Sequence, residues 1–536
     1  MSTDILTTAI TPTEVPQKTR VPKPGSRTGN TTDSKNTLTE KLKTKLSNPA
    51  SSAEFDLRAA TEEVLKDVGL TTGDSGGKLT FCGSDPILPS TIRFGTMAAI
   101  GLAARSVALS ALWKQTTGEG QDISVDVRKA LRRFAGFFEG KWETINGRGP
   151  SPGGYAFSPV FNDMEHHFFR KTRDGRHVVA LNFYPGLRAH FLNFLGASES
   201  NESISNAVSK WDAVELENAA AEKGLVLAMV RTNEEFRRES QYKDILSKMP
   251  LIIVEKIGES DPVPLKANSD NLPLAGIRAF GMGHVIAGAA LGRDMSLYGA
   301  DVLNIWRPHD SEVESFFWDA QVGMRSTIMD DSKEDRKQFD RLLKDADVFF
   351  ANKRPGFLEK HGLDAETLSA QKPGLIHVKV VLHGEKGPWS NRPGFDEIGA
   401  AVSGLFAIEG SQTQPKQPPI VPICDNVVAW LGTTGILEAL RRRAIEGGSY
   451  RVTVSLTRVV LWMLSLGIFD KAYAKATAGS TEEHEYSAPD LFTAETPLGT
   501  YQGMTDQILL SRTPGAFRTV LLPRGSSKPE WLDRIP

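Results

Sequence analysis

Basic and amide side chains stand where predicted strands end in the second half of the chain. Arg307 ends the strand in ADVLNIWRP, Asn352 and Lys353 follow the strand in ADVFF, and Lys360 lies further along that segment. The carboxyl ends of parallel strands meet at one edge of a sheet, which is where open α/β sheets bind phosphorylated ligands. Simple surface solvation is the alternative for each side chain taken alone. Together they predict a site for a phosphate-bearing anion.

The loop GMGHVIAG adds a turn of small residues beside this site. His284 and Ala287 lie in it, and small residues let the backbone approach a ligand closely. The glycine spacing is not that of a dinucleotide-binding fingerprint, and no acidic partner for a ribose follows the next strand. The loop therefore indicates ligand binding without indicating a nicotinamide or flavin cofactor.

Two aspartates and one arginine are candidates for chemistry or substrate binding. Asp396 lies in GFDEIG, and Asp425 begins a long apolar helix. A carboxylate in a cleft can act as a nucleophile or a base, but helix capping by Asp425 and a turn or structural hydrogen bond at Asp396 are the alternatives. Arg458 begins a helix directly after a strand. Its guanidinium is always cationic and suits the binding of carboxylate or phosphate.

The elements that position these residues alternate between strand and helix from about residue 272 onward. LPLAGIRAF, YGADVLNIWRP, ADVFF and PGLIHVKVVL read as strands, and helical segments separate them. This alternation predicts an α/β fold with a Rossmann-like parallel sheet. The region 151–271 reads as a smaller α/β unit, and the polar residues 1–54 read as disordered.

One structural unit occurs twice. An apolar helix, a glycine turn, a short strand and a second helix occur at 97–134 and again at about 427–464. Gly118 matches Gly447, and Val125 matches Val454. These shared details favour an internal duplication over chance similarity of two βα pieces.

Composition excludes several classes of protein. The chain carries 63 Lys and Arg against 65 Asp and Glu, so no basic footprint for nucleic acid or an anionic membrane is present. Two cysteines far apart predict no disulfide framework. We find no signal peptide and expect no segment to reach the roughly 18 apolar residues that a membrane span needs, so a cytoplasmic protein is predicted. Glu165, His166 and His167 are adjacent, but neighbours on a strand point to opposite faces, so no metal site is predicted.

The second half resembles the class III CoA-transferases, the family of formyl-CoA transferase, carnitine CoA-transferase and α-methylacyl-CoA racemase. The resemblance rests on PLAGIRAF, HVIAG, YGADVLNIWRP, ADVFFANKRPGFLEKHGL and GPWSNRPGFDEIGAAVSGL, in the family's order. It implies that His284, Ala287, Arg307, Asn352, Lys353 and Lys360 contact coenzyme A. CoA would be a substrate thioester rather than a covalently bound cofactor. Met324, where relatives usually have lysine, departs from the pattern.

The resemblance also reveals a missing nucleophile. The family attacks the thioester with an aspartate at the start of the helix after the repeated strand, and the matching positions here are Lys129 and Arg458. Neither can form an acyl anhydride. Either the chemistry has moved, with Asp396, Asp425 and Arg458 as the residues to consider, or the protein binds acyl-CoA without turnover. The racemase branch places a histidine where Phe395 stands, which removes that branch's base.

The resemblance implies a fused, partly duplicated version of the family fold. We expect a disordered tail, a reduced first lobe, a small α/β domain with a return segment, a Rossmann-like CoA domain and a C-terminal return segment, over 1–54, 55–150, 151–271, 272–475 and 476–536. The predicted function is CoA transfer between an acyl-CoA and a small or specialised-metabolite carboxylic acid. A silent acyl-CoA-binding relative and an acyl-CoA racemase or isomerase are the alternatives. The family's interlocked dimers imply an intramolecular pseudo-dimer or a homodimer.

Overall fold

The computed structural model describes residues 37–150, 167–266 and 271–533 of the chain. Residues 1–36 of the predicted tail lie outside these ranges, as do Glu165 and His166 and most of the glycine- and proline-rich segment at 147–160.

A seven-stranded sheet forms the centre of the fold. Six of its strands are parallel. In chain order, the first three of these six are placed successively from the middle of the sheet toward one edge, and the next three from the middle toward the other edge. Such a doubly wound order is that of a Rossmann-like sheet, so the predicted α/β fold class is confirmed. In spatial order the strands are Arg325–Ile328, Asp301–Trp306, Arg278–Met282, Val348–Ala351, Ile376–Val381, Ser449–Ser455 and the antiparallel Ile253–Gly258.

Helices connect these strands and cover both faces of the sheet. Their apolar sides bury against strands that are themselves almost wholly buried, as a parallel sheet requires. The helices of this region are Ala287–Leu297, Glu314–Ala320, Lys333–Asp345, Phe357–Lys360, Ala365–Gln371, Asp396–Ser403, Leu405–Glu409, Asp425–Glu446, Leu456–Ser465 and Lys471–Thr477.

The predicted repeat is present in three dimensions. Helix Phe94–Thr117, strand Gln121–Asp126 and helix Val127–Ala135 match helix Asp425–Glu446, strand Ser449–Ser455 and helix Leu456–Ser465. In both copies the last strand residue caps the following helix, because Asp126 accepts from the Arg128 N–H and Ser455 accepts from the Arg458 N–H.

The two long helices of the repeat pack directly against each other. A Cβ added at Gly101 would lie 3.0 Å from Trp430, so the absence of a side chain there permits the close approach. Within the described ranges, Phe94–Thr117 is the one helix long and apolar enough to cross a membrane, and its residues 94–113 are buried in the protein. The expectation that no segment reaches that length is therefore wrong. The helix instead serves as a core helix between the lobes.

Smaller sheets complete the chain. The first lobe adds helix Leu57–Lys66 and a sheet of Gly76–Cys82, Gln121–Asp126 and Ile508–Leu510. The small domain contains strands Phe169–Lys171, His177–Ala180 and Leu227–Met229 with helices Pro185–Leu195, Asn201–Val208, Ala213–Glu222 and Asn233–Phe236 and the π-helix Gln241–Leu246. The C-terminal segment pairs Leu491–Thr496 and Gly499–Met504 with Thr144–Ile145.

Two predicted boundaries require correction. Helix Leu38–Ser47 lies inside the range predicted to be disordered, because Leu38 and Leu42 bury against the core and Thr37 caps the helix. The sequence predicts that strand Ile253–Gly258 belongs to the small domain. In the structure it pairs with Ser449–Ser455 at the edge of the central sheet. Both errors arise because partners distant in sequence decide where these segments pack.

Candidate functional site

A cleft of about 920 Å³ opens at the carboxyl edge of the central sheet. Residues after five parallel strands line it, namely His284, Arg307, Lys353, Leu382 and Leu456. The loops after Arg278–Met282 and Val348–Ala351 meet at its centre, where the strand order reverses and ligands bind in open α/β sheets. Its opposite wall comes from the small domain, through residues 184–187 and Val226.

The two central loops are tied to each other. The His284 N–H donates to Asn352 Oδ1 at 3.0 Å, and Asn352 Nδ2 donates to the His284 carbonyl at 2.8 Å. A Cβ at Gly288 would lie 2.3 Å from Asn352, so this tie requires glycine there. Asn352 therefore fixes the His284 loop through two hydrogen bonds to its backbone and also lines the cleft.

A strained residue follows His284. Val285 has a φ of 59°, which is rare for a β-branched residue. Its N–H donates to Glu312 Oε2 at 2.7 Å, and Tyr184 donates from the small domain to Glu312 Oε1 at 2.7 Å. Glu312 thus holds the loop in this conformation and links both walls of the cleft. Such strain persists where the surrounding contacts fix it, often at functional sites.

Three basic side chains surround Asp310 at one end of the cleft. Arg307 binds it at 2.7 Å, His284 Nε2 lies 3.6 Å from Oδ2, and Lys353 Nζ lies 3.7 Å from the same atom. Burial opposes ionisation of Asp310, but Arg307, Lys353 and His284 outweigh it and hold its pKa at about 2. Arg307 and Lys353 carry two positive charges beside the single Asp310 carboxylate, so this end of the cleft favours an anion.

Burial dominates the ionisation of two of these basic groups. It lowers the pKa of Lys353 to about 8, with partial opposition from Asp310. It also lowers the pKa of His284 well below its ordinary value, and the charge on Lys353 adds to the effect. His284 Nε2 is buried and has no hydrogen-bond partner among the described residues. Both groups would gain from a bound phosphate, which supplies the missing acceptor and charge.

A group of three carboxyls lies at the other end. Asp425 lines the cleft at the start of its helix, whereas Asp396 is buried behind it and accepts the N–H groups of Ile423, Cys424 and Asp425 at 2.7, 2.5 and 3.0 Å. Burial raises the pKa of Asp425 well above its ordinary range, and the charge of Asp396 adds to this. Burial likewise raises the pKa of Asp396 and Glu397. Asp425 is thus the predicted catalytic carboxyl that faces the cleft.

Three other predicted positions lie outside the cleft lining. Arg458 donates from Nε to the Met249 carbonyl at 2.7 Å. Lys129 binds Asp490 at 2.8 Å in the first lobe. Lys360 ends a short helix and is exposed. The cleft therefore brings together His284, Ala287, Arg307, Asn352, Lys353 and Asp425, and it leaves out Asp396, Arg458 and Lys360.

Several residues of this site were not predicted from the sequence. Asp310, Glu312 and Tyr184 carry no motif of their own. The position of Asp310 and Glu312 just after a strand end was a usable signal, because that edge of the sheet was already predicted to bind a ligand. Tyr184 had no such signal, since its place follows from how the small domain packs.

Residues 274–508 match the model of CoA-transferase family III. The acetyl-coenzyme A transferase nodX of Hypoxylon pulicicidum is 28% identical over 326 residues, which is 56% of this chain and 55% of that protein. The succinyl-CoA–L-malate CoA-transferase alpha subunit of Chloroflexus aurantiacus is 30% identical over 245 residues, or 41% of this chain and 56% of that protein. The chain thus spans a little over half the length of these relatives.

Among solved structures that resemble this chain is a CAIB/BAIF family protein from Brucella suis, which is 26% identical to it. That match covers 36% of this chain and 56% of that chain, with a TM-score of 0.34. The predicted family resemblance is confirmed by the match to the family model and by the relatives named as CoA-transferases. Residues 274–508 of this chain are similar to CoA-transferase family III.

Proposed function

We propose that the protein transfers coenzyme A from an acyl-CoA donor to a carboxylic acid. The observation that carries this proposal is the cleft, in which Lys353, His284 and Arg307 gather at the central strand ends and Asp425 lines the same space. The relatives named as CoA-transferases support it for the matched region. A phosphate-bearing thioester would place its phosphates near the basic residues and its acyl carbon near Asp425.

In this proposal Asp425 is the residue that accepts the acyl group. An ionised Asp425 oxygen attacks the thioester carbon, the C–S bond breaks and CoA leaves as a thiolate, which yields an aspartyl anhydride. The thiolate then attacks the Asp425 carbonyl and releases the donor acid. The acceptor carboxylate attacks the resulting Asp425 thioester, which forms a new anhydride and releases the CoA thiolate. The thiolate then attacks the acyl carbon of the acceptor, which gives the new acyl-CoA and restores the Asp425 carboxylate. Only the ionised form of Asp425 can begin this cycle. Because the pKa of this carboxyl is raised, only a fraction of the molecules carries ionised Asp425 at low pH.

The two walls of the cleft support an intramolecular pseudo-dimer. The family forms interlocked dimers, and here one chain contributes both the small-domain wall at 184–187 and the central sheet. We therefore propose that a single chain is sufficient for the site. Measurement of molar mass in solution alongside activity would test this, and activity confined to a dimer would contradict it. We also propose a cytoplasmic location, which fractionation of the tagged protein would test.

A mass-spectrometric CoA-exchange assay tests the transferase proposal. Purified protein would be mixed with a panel of acyl-CoA donors and free mono- and dicarboxylic acids. A new acyl-CoA that forms with wild-type protein, and that does not form with Asp425→Asn, is the expected result. Exchange that is unchanged in Asp425→Asn would remove Asp425 from the mechanism while leaving the activity established.

A silent acyl-CoA-binding protein is the second candidate. It is favoured by Lys129 and Arg458 at the two nucleophile positions and by the high pKa of Asp425. Isothermal titration with CoA distinguishes the two candidates when it is combined with the exchange assay. Tight binding without exchange across the panel would establish the second candidate and overturn the first.

A further inference from the structure

One end of the cleft carries the basic residues, and the other, called the apolar end for Leu382 and Leu456, also carries Asp425. Arg307, His284 and Lys353 follow strands on one side and at the centre of the sheet, whereas Leu382 and Leu456 follow the next two strands. Neighbouring strands lie about 4.8 Å apart, so the ends of strands Asp301–Trp306 and Ser449–Ser455 lie roughly 19 Å apart. An elongated thioester that binds its phosphates at the basic end therefore places its acyl group at the apolar end.

Aromatic side chains form the wall at the apolar end. The rings of Phe395 and Phe183 stack with centroids 5.3 Å apart and an interplanar angle of 22°. The Tyr184 ring lies 6.2 Å from Phe395, and Phe395 and Tyr184 both line the cleft. A Cβ at Gly394 would lie 2.7 Å from Leu382 Cδ2, so the chain before Phe395 packs closely on that leucine. This wall offers flat apolar surface to an acyl group.

The basic residues near this wall already have acidic partners. Between Ile376 and Phe395 the cleft is lined by two basic residues, Lys379 and Arg392. Lys379 binds Glu359 at 2.9 Å and lies 3.4 Å from Glu385. Arg392 binds Glu217 at 3.2 Å. A second carboxylate on the acyl group would find both of these cations already paired, and Glu385 would repel it.

We propose that the acyl end of the cleft accepts an aromatic acyl group derived from a monocarboxylic acid, with Phe395 as a specificity-determining residue. This inference rests on the proposed function, because it assumes that a CoA thioester occupies the cleft. Phe395 supplies aromatic surface, and Leu382, Leu456 and the proposed nucleophile Asp425 line the same cleft. Dicarboxylic acyl groups are disfavoured because Lys379 and Arg392 are already paired with glutamates.

Equilibrium binding of defined thioesters tests the proposal. The dissociation constants of free CoA, acetyl-CoA, succinyl-CoA and 3-phenylpropanoyl-CoA would be measured for wild type, Phe395→Ala and Phe395→Tyr. We expect wild type to bind 3-phenylpropanoyl-CoA at least about tenfold more tightly than succinyl-CoA, the gain typical of aromatic stacking combined with apolar burial. Phe395→Ala should remove most of this preference, and Phe395→Tyr should retain it.

The dissociation constant of free CoA serves as the internal control. It should change little among the three proteins, because the phosphates of CoA are proposed to bind Arg307, His284 and Lys353 rather than Phe395. Equal or tighter binding of succinyl-CoA by wild type would overturn the inference while leaving CoA binding intact, and this comparison needs no variant. Failure of wild type to bind any CoA compound would instead overturn the proposed function on which the inference rests.

Discussion

Replacement of Lys353 by methionine should stabilise the protein and weaken its binding of CoA. The ammonium group of Lys353 lies 3.7 Å from Asp310, its side chain is 11% exposed, and it faces the cleft. Methionine keeps a flexible stem of similar length and removes the charge. The Arg307–Asp310 pair at 2.7 Å remains, so Asp310 keeps a basic partner in the variant.

The expected stabilisation follows from the pKa of Lys353. Burial lowers this pKa from 10.5 to about 8. The charged Lys353 therefore lowers the free energy of unfolding at neutral pH by at most about 3 kcal/mol. Because the unfolded chain binds this proton more tightly, the free energy of unfolding of the wild-type protein increases as pH rises from about 8 to 10.5. The variant should therefore be more stable at pH 7, and its advantage should shrink above pH 8.

The expected loss of binding follows from the charge. A hydrogen bond to a charged group is typically worth about 1.5–3 kcal/mol, so the dissociation constant for CoA should rise by about 10- to 100-fold. For wild type, affinity should already fall as pH rises past about 8, since Lys353 then loses its proton. Urea unfolding at pH 7 and pH 9.5 and titration with CoA would measure both effects.

Lys360→Met is the matched control for this prediction. It removes a lysine of the same segment, but that lysine is exposed and lies outside the cleft lining. We expect neither stability nor CoA affinity to change in it. A Lys353→Met protein that is destabilised like an ordinary core variant and binds CoA normally would refute the reasoning.

Three further predictions concern the remaining candidate residues. Asp425→Asn should lower the exchange rate by about three orders of magnitude or more while leaving the CoA dissociation constant nearly unchanged, and a residual rate near wild type would contradict the proposed nucleophile. In wild type the exchange rate should rise with pH as Asp425 ionises and fall above about 8 as Lys353 loses its proton, so a flat pH profile would argue against both roles. Arg458→Ala should cost about 1–3 kcal/mol of unfolding free energy in urea titrations, because its hydrogen bond to the Met249 carbonyl is lost, whereas a raised KM for the acceptor acid would instead restore its role as a carboxylate clamp.

Much of the fold was predictable because its signals are local. Each parallel strand of the central sheet is a short apolar run beside a helical segment, so the alternation alone indicates the Rossmann-like sheet. The repeat was visible for the same reason. Strand Ile253–Gly258 has an equally clear local pattern, but its sheet is decided by pairing with Ser449–Ser455, which no local pattern reports.

The candidate site was predictable where topology fixes a side chain. Residues at the ends of parallel strands share one edge, which is why His284, Arg307 and Lys353 were expected together and lie together. Arg458 also follows a strand, but rotation about the helix axis decides its direction, and its side chain reaches the Met249 carbonyl instead. The link between Tyr184 and Glu312 depends on domain packing and could not be foreseen.

The pairing of Ile253–Gly258 with Ser449–Ser455 also has a consequence during synthesis on the ribosome. Roughly 190 residues separate the two strands, so at about 5–20 residues per second the earlier strand waits roughly 10–40 s for its partner. Its edge stays unpaired for that time, and unpaired edges template aggregation. The two adjacent charged residues of this strand, Glu255 and Lys256, give the nascent chain a means of remaining soluble until the sheet closes.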